Sequence, residues 1–498
     1  MTAVDHEIRE LPGDIPPELG GDPEPGPSAE VRLIMSPDQL RSALTHLHTM
    51  GARFITMTQT AQPNRSLLTL LALRGALLML RTPAVAADGL DHLEVVNDVA
   101  DEWPAARWAA LELAERHGVQ QTGRRLTAPD ADVLDRHVDG LDVFVIPYGP
   151  VRSGVFESIQ FQIESGGESV VALQTRPFFK HRGLEARFRG LQVEQGVHVA
   201  ERVAGIATVA YACAYAQAVE RALGIEVHPL AERWRAVHCE LERIACHLDV
   251  IAKEAETTAL YVGHARFQIL KERVMRLRAR LSGSRFARGV VVPGGVREIP
   301  PVDRQALRAE LDDLERQFQR DRKLFISTAS MTDRLIGTGM LPRALIDEYG
   351  AVGPLARGSN VSTDARHERP YGDYPRLGLQ VMTRREEDAM ARVNVRFDEI
   401  AESLRILHQA LEHVREPLDE QVPSPQRLSG SASGWVEAPQ GELVAWVEVD
   451  EGRLINVHLA TPSFRNWALF DHAFPKDVLT DFAFIEHSFG LTPAGADR

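Results

Sequence analysis

Long runs of apolar residues spaced three and four apart constrain this chain more than any other feature. Val199 to Leu223, Pro229 to Ala255 and Ala265 to Leu281 each follow that spacing, with Glu and Arg on the opposite face. This is the period of an amphipathic helix, whose apolar stripe must be buried against another element. Gly283 and Pro293-Gly294-Gly295 break the pattern, and Pro301 to Phe325 and Val393 to Val414 resume it. Near the end, Trp435 to Val449 and Leu454 to Leu459 alternate like strands, with Asp450-Glu451-Gly452 as a turn. Residues 146–498 therefore read as a large, mainly helical domain carrying a small antiparallel sheet.

The region before it changes pattern over shorter distances. Ser36-Pro37-Asp38 starts a helix, with a capping serine, proline at the first helical position and an acid in the first turn. Short runs at Arg53 to Gln59, Leu67 to Arg74 and Ala76 to Arg81, separated by Pro63-Asn64 and Gly75, read as strands. Trp103-Pro104 opens a further helix that Gly118 closes. Residues 31–125 are thus a small α/β domain, residues 1–30 a flexible acidic tail and residues 126–145 a charged linker, and the fold class is α+β.

Composition excludes several functions. Asp and Glu number 70 against 56 Lys and Arg, a net charge of −14 that is the wrong sign for covering nucleic-acid phosphates. The three cysteines, Cys213, Cys239 and Cys246, form no CxxC pair and read as packing residues in a reducing compartment. Leu67 to Ala87 is the longest apolar stretch, and Arg74 and Arg81 interrupt it, so membrane association is expected only through partners. No glycine-rich phosphate loop follows a strand, and Gly294-Gly295 lacks both the dinucleotide spacing and a Walker lysine, so NAD and ATP are not expected ligands.

Ordered blocks across the larger domain carry a family resemblance. They are His181-Arg182-Gly183-Leu184-Glu185, Glu201 to Ala207, Ala214 to Glu220, Pro293 to Val296, Gly353 to Ser359, Asp364-Ala365-Arg366 with Pro370-Tyr371, and Gly434 to Leu443. In this order they resemble the large subunit of nickel-iron hydrogenases, in particular the fused subunit of formate hydrogenlyase and other energy-converting hydrogenases, which is homologous to the quinone-site subunit of complex I. Trp103 to Trp108, with Glu112, Glu115 and His117-Gly118-Val119, resembles the small hydrophilic complex I subunit beside it, which implies a docking role for the first domain.

The departures from that family are as informative as the matches. The resemblance implies nickel held by four thiolates, because soft ligands suit this metal. Here the first pair falls on Ala204 and Ala207 and the second on Thr492 and Gly495, so no metal and no nickel-dependent hydrogenase activity are expected. Quinone-site subunits carry an HPxxHG loop, and Ser153 stands at its second histidine. The tyrosine that pairs with that histidine falls near Gly205, and an acid expected past His247 reads Thr257.

Charged residues around the former site are retained. Glu185 matches a glutamate that passes protons in the hydrogenases, a task suited to a carboxyl in a desolvated cavity. His181 and Arg182 precede it. Arg357 and Asp364 come from segments that line the same cavity in relatives, Arg243 and His247 lie four apart on one helical face, and Tyr211 stands where relatives have histidine. The competing reading is a buried salt-bridge network that holds the domain together.

The resemblance implies a peripheral-arm subunit on the cytoplasmic face of the cell membrane, with no cofactor of its own. Its expected partners are a small iron-sulfur subunit and antiporter-like membrane subunits, and a quinone is one candidate acceptor. The alternative is a redox-inactive structural subunit of such a complex; a true hydrogenase is the weakest reading.

Overall fold

The computed structural model describes residues 22–24, 30–61, 65–83, 99–117, 120–121, 124–125, 143–152, 157–297, 303–412, 424–474 and 477–498. The chain forms two compact units, Met1–Asp130 and Ala131–Arg498, and its class is α+β.

The first unit is built on a five-stranded sheet. Its strands are β1 (Asp22–Glu24), β2 (Glu30–Ile34), β3 (Arg53–Gln59), β4 (Ser66–Leu73) and β5 (Ala76–Pro83), in the order β1-β2-β5-β4-β3. Only β2 and β5 run parallel. Helix α1 (Pro37–Thr49) starts as its sequence predicts: Ser36 Oγ accepts from Gln39 N, and the Gln39 side chain accepts from Ser36 N. Leu40, Ala43, Leu44 and Leu47 form its buried stripe. Two expectations need correction. The tail over residues 1–30 contains β1, which pairs with β2 and so is not free chain there. Helix α2 spans Ala106–His117 and starts after Trp103-Pro104, because Trp103 is itself buried and donates its indole N–H to Ala52 O at 3.0 Å. Residues 126–142 of the expected linker lie outside the described residues, and Phe144 already belongs to a strand.

The second unit begins with an antiparallel sheet of β6 (Phe144–Tyr148), β7 (Gln160–Ser165) and β8 (Val170–Arg176). Helices α3 (Leu184–Phe188), α4 (Val193–Ala200), α5 (Thr208–Leu223), α6 (Pro229–Thr257), α7 (Tyr261–Ser282) and α8 (Arg304–Ile326) follow, then α9 (Ala389–Glu412). A hairpin and its extension, β9 (Gly430–Ala438), β10 (Gly441–Asp450) and β11 (Arg453–Ala460), form the second sheet, and α10 (Phe482–Phe489) lies near the end. The run read as one strand from Trp435 to Val449 is therefore the turn-joined pair β9 and β10.

Helix α5 is the centre of this unit. Every residue in it except Arg221 is buried. Its alanines let β9 approach closely, and Gly434 is required at the contact: a Cβ there would sit 2.1 Å from Ala214 O and 2.5 Å from Ala218 N. The helical run expected from Val199 to Leu223 is interrupted at residues 201–207. Arg182 captures carbonyls of that segment, and Glu242 of α6 accepts from Val209 N at 2.9 Å and Ala210 N at 3.0 Å. Glu242 thus caps α5 where Ala207, the residue at its N-terminus, has no side chain able to do so. Helices α6 and α7 pack side by side, and α9 packs on α6.

Candidate functional site

Two groups of charged residues are built around this scaffold. The first gathers at the C-terminal segment. Gly183, at a φ of 61°, turns the chain into α3 and sets Glu185 in its first turn. The Glu185 carboxylate accepts from Leu459 N at 2.9 Å and lies 3.2 Å from His458 Nδ1 and 3.1 Å from Arg498 Nε. All three side chains are nearly or fully buried. Arg182 spans the site, donating to Arg202 O at 3.0 Å, Val203 O at 2.5 Å and Ala494 O at 2.8 Å. His181 Nδ1 lies 3.2 Å from Asp497 O, and the Asp497 carboxylate accepts from Phe178 N and Lys180 N, each at 2.8 Å. Burial lifts the Asp497 carboxyl above the ordinary range, against those two amides.

Arg182 brings together the two segments that carry the expected ligand positions. Ala204 and Ala207 are buried, and Tyr211 follows one turn into α5. Burial raises the Tyr211 phenol strongly, with Arg498 and Arg182 acting against it. Thr492 donates its hydroxyl to Glu157, whose carboxylate also accepts from Ala494 N at 3.2 Å. Thr461 donates to Gly495 O at 2.7 Å, and a Cβ at Gly495 would lie 3.1 Å from both Cβ and Oγ of Ser463.

These residues do not fit nickel. Two methyl groups, one hydroxyl engaged with Glu157 and one residue without a side chain offer no soft donor. Among the described residues, no group of three or more His, Cys, Asp and Glu is arranged to hold a metal. Cys213 and Cys239 are buried with sulfurs 3.8 Å apart on α5 and α6, and Cys246 accepts from Gln440 Nε2.

The second group lies between α6, α9 and β9. Arg357 donates to Glu399 at 2.7 Å, to Glu437 at 2.8 Å and to Thr363 O at 2.8 Å, and lies 3.4 Å from Asp364. Arg366 grips Asp364 with two N–H groups and reaches Glu240 at 3.0 Å. Arg243 contacts Glu240 at 3.2 Å and donates to Glu437 O and Ala438 O, tying α6 to β9. His247 Nε2 meets Glu399 at 2.8 Å. Burial lowers the His247 imidazole to about 4 against the pull of Glu399, so the ring is neutral and donates its Nε2 proton.

Burial opposes ionisation of the acids here, but the guanidinium groups decide the outcome. Arg243 and Arg366 outweigh it at Glu240, which falls to about 2, and Arg357, His247 and Arg243 hold Glu399 well below the usual carboxylate range. Glu437 goes the other way, pushed up by burial and then by Asp364. Three guanidinium groups, Arg243, Arg357 and Arg366, thus face Glu240, Asp364 and Glu399, and a proton on Glu437 leaves the cluster balanced.

Sequence reasoning placed Glu185 and Arg357 around one cavity. In the structure Glu185, His181 and Arg182 find partners in β11 and the C-terminal segment, whereas Arg357, Asp364, Arg243 and His247 find theirs on α6, α9 and β9. Ser153 lies outside the described residues. Thr257 hydrogen-bonds His487 Nδ1 at 2.9 Å, and a Cβ at Gly205 would meet nothing within 4 Å. Glu157, His458, Asp497 and Arg498 were missed in the first group, and Glu240, Glu399 and Glu437 in the second. Nothing in spacing marks the first four, but Glu240 and Glu399 stand on helical faces that also carry Arg243 and Arg396, a signal that was available.

No helix among the described residues is long and apolar enough to cross a membrane. Residues 257–429 match the family described as respiratory-chain NADH dehydrogenase, 49 Kd subunit. The chain is 30% identical over 439 residues to an NADH-quinone oxidoreductase subunit of Saccharopolyspora erythraea, covering 76% of this chain and 94% of that one. It is 26% identical over 433 residues to "Formate hydrogenlyase subunit 5" of Escherichia coli, covering 79% and 75%. A chain of the membrane-bound sulfane sulfur reductase, an archaeal respiratory membrane complex, superposes with a TM-score of 0.67 at 25% identity, covering 72% of this chain and 99% of that one. The protein therefore belongs to the family of the 49 Kd subunit of respiratory-chain NADH dehydrogenase, which also takes in its hydrogenase-complex relatives.

Proposed function

We propose that this chain is a peripheral subunit, on the cytoplasmic face, of a membrane-bound oxidoreductase related to complex I and formate hydrogenlyase, working without a nickel-iron centre. Electrons arrive from the iron-sulfur cluster of a small partner subunit, and the group around Glu185 handles protons for the reaction. A quinone is the leading candidate acceptor. The observation that carries this reading is the Glu185, His458 and Arg498 cluster, kept buried beside four positions that carry no thiolate. A carboxylate held between an imidazole and a guanidinium, away from bulk water, is suited to accepting and releasing a proton.

A second reading, a redox-inactive structural subunit, draws on Arg182. Its three backbone carbonyl contacts close the former site instead of opening it to a substrate. The two readings separate in one experiment. The tagged protein is recovered from gently solubilised membranes of its host, its partners are identified by mass spectrometry, and turnover of the intact complex is compared with that of Glu185→Gln. Assembly retained with turnover lost supports the first reading. Assembly and turnover both retained favour the structural subunit, and recovery of the chain alone from the soluble fraction sinks both.

A further inference from the structure

Helices α6 and α9 present facing polar residues at helical spacing: Glu240, Arg243, His247 and Glu254 on α6, and Arg392, Arg396, Glu399 and Ser403 on α9. The half that contains Glu240 and Glu399 is closely paired. The other half is not. Glu254 is 0% exposed, and neither of its carboxyl oxygens has a hydrogen-bond partner in the protein. Arg392 and Arg396 are each 1% exposed, and each holds an unused N–H, at Nη2 and Nε respectively. Their remaining contacts are made: Arg392 donates to Ser488 Oγ and Gly339 O, and Arg396 to Arg392 O and Phe489 O.

These two guanidinium groups are the charges whose fields act on Glu254. Helix α10, packed against both α6 and α9, contributes the Ser488 hydroxyl, already held by Arg392. Its His487 instead meets Thr257. An ionised carboxylate sealed from water with no donor on either oxygen is disfavoured by several kcal/mol, and such a group takes up a proton instead. Two nearby guanidinium groups with donors to spare supply a second arrangement in which the ionised form is satisfied.

We propose that Glu254, Arg392 and Arg396 form a buried proton-loading site between α6 and α9. At rest Glu254 is the neutral acid. On release its O–H bond breaks, the electron pair stays on the carboxylate, the free N–H groups of Arg392 and Arg396 turn onto it, and the proton passes to water.

The surroundings agree with a site that exchanges protons. Burial lifts the Glu254 carboxyl well above its ordinary range and lowers the Arg392 guanidinium to about 10. Gly339, whose carbonyl takes Arg392, donates its own N–H to half-buried Asp477 at 3.0 Å. Burial raises that carboxyl to about 6, which places a titrating group between the site and solvent. The site stands independently of the reading of the Glu185 cluster, since it shares no residue with it.

Infrared spectroscopy of the purified full-length protein tests this. At neutral pH, Glu254→Gln should remove the C=O band of one protonated carboxyl, a band that shifts on exchange into D2O. Because a neutral amide replaces a neutral acid, its Tm should stay within about 2 °C of the parent. Arg396→Met, which removes one donor to the ionised form, should move the loss of that band to higher pH. The proposal is overturned if Glu254→Gln leaves the carboxyl bands unchanged, or if it unfolds or strongly destabilises the protein. Either result would mean that Glu254 is ionised in place and holds the helices by its charge. An unmoved titration in Arg396→Met removes the arginine pair from the proposal.

Discussion

Arg182 donates to the carbonyl oxygen of Ala494 at 2.8 Å, joining the loop before α3 to the last turn of the chain. The same side chain holds the carbonyls of Arg202 and Val203, so one residue sets the spacing of the two segments that bear Ala204, Ala207, Thr492 and Gly495.

Removing that clamp should loosen both segments together. Arg182→Ala leaves three carbonyls without their donor, and we expect a loss of about 1–3 kcal/mol. Hydrogen exchange should quicken over residues 201–211 and 492–498 while the α6 and α7 amides stay protected. Unchanged exchange in either segment would show that the clamp is redundant.

The charge cluster between α6 and α9 is expected to tolerate loss of one partner poorly. Glu399→Gln leaves Arg357 and His247 without a buried anion, and the cost should be about 3–5 kcal/mol. Arg316→Ala, which removes an exposed pair with Asp313, should cost less than about 1 kcal/mol. Urea midpoints of the two variants measure the contrast, and equal shifts would contradict it.

Stability should fall in mild acid because of His247. Its folded value, about 4, lies below the ordinary histidine value of about 6.5, so the unfolded chain binds more protons between those limits. Stability therefore rises with pH across that window and is lost as pH falls through it. Glu240, depressed to about 2, adds a second loss below the unfolded glutamate value of about 4.3. Denaturation curves from pH 7 to pH 4 should show the first slope in the parent and a shallower one in His247→Gln.

Two glycines should respond oppositely to alanine. Gly434→Ala places a methyl 2.1 Å from Ala214 O and should destabilise the protein by about 3 kcal/mol, as overpacking against backbone cannot relax. Gly205→Ala meets nothing within 4 Å and should be neutral or stabilising by up to about 1 kcal/mol, through the unfolded chain. Thermal unfolding of the two variants checks the sign of each.

Much of the fold was legible because it is local. The period of apolar residues in α6, α7, α8 and α9, and the capping box at Ser36, act within a few residues of themselves, and the structure keeps these elements with ends shifted by a few positions. The absence of thiolates at Ala204, Ala207, Thr492 and Gly495 was likewise a fact of the sequence alone.

The break in the helix read from Val199 to Leu223 was not legible. It depends on Arg182 and Glu242, residues distant in sequence that satisfy backbone groups the helix would otherwise have used. The assignment of Glu185 and Arg357 to different groups has the same origin. A side chain's charge is written in the sequence, but its partner is chosen by packing, and in a buried site the partner decides whether that charge persists. Glu399 and Glu254 show this most directly. Both are glutamates on the α6–α9 interface. Arg357 and His247 hold one ionised, while the other has no donor at either oxygen and is raised well above its ordinary range.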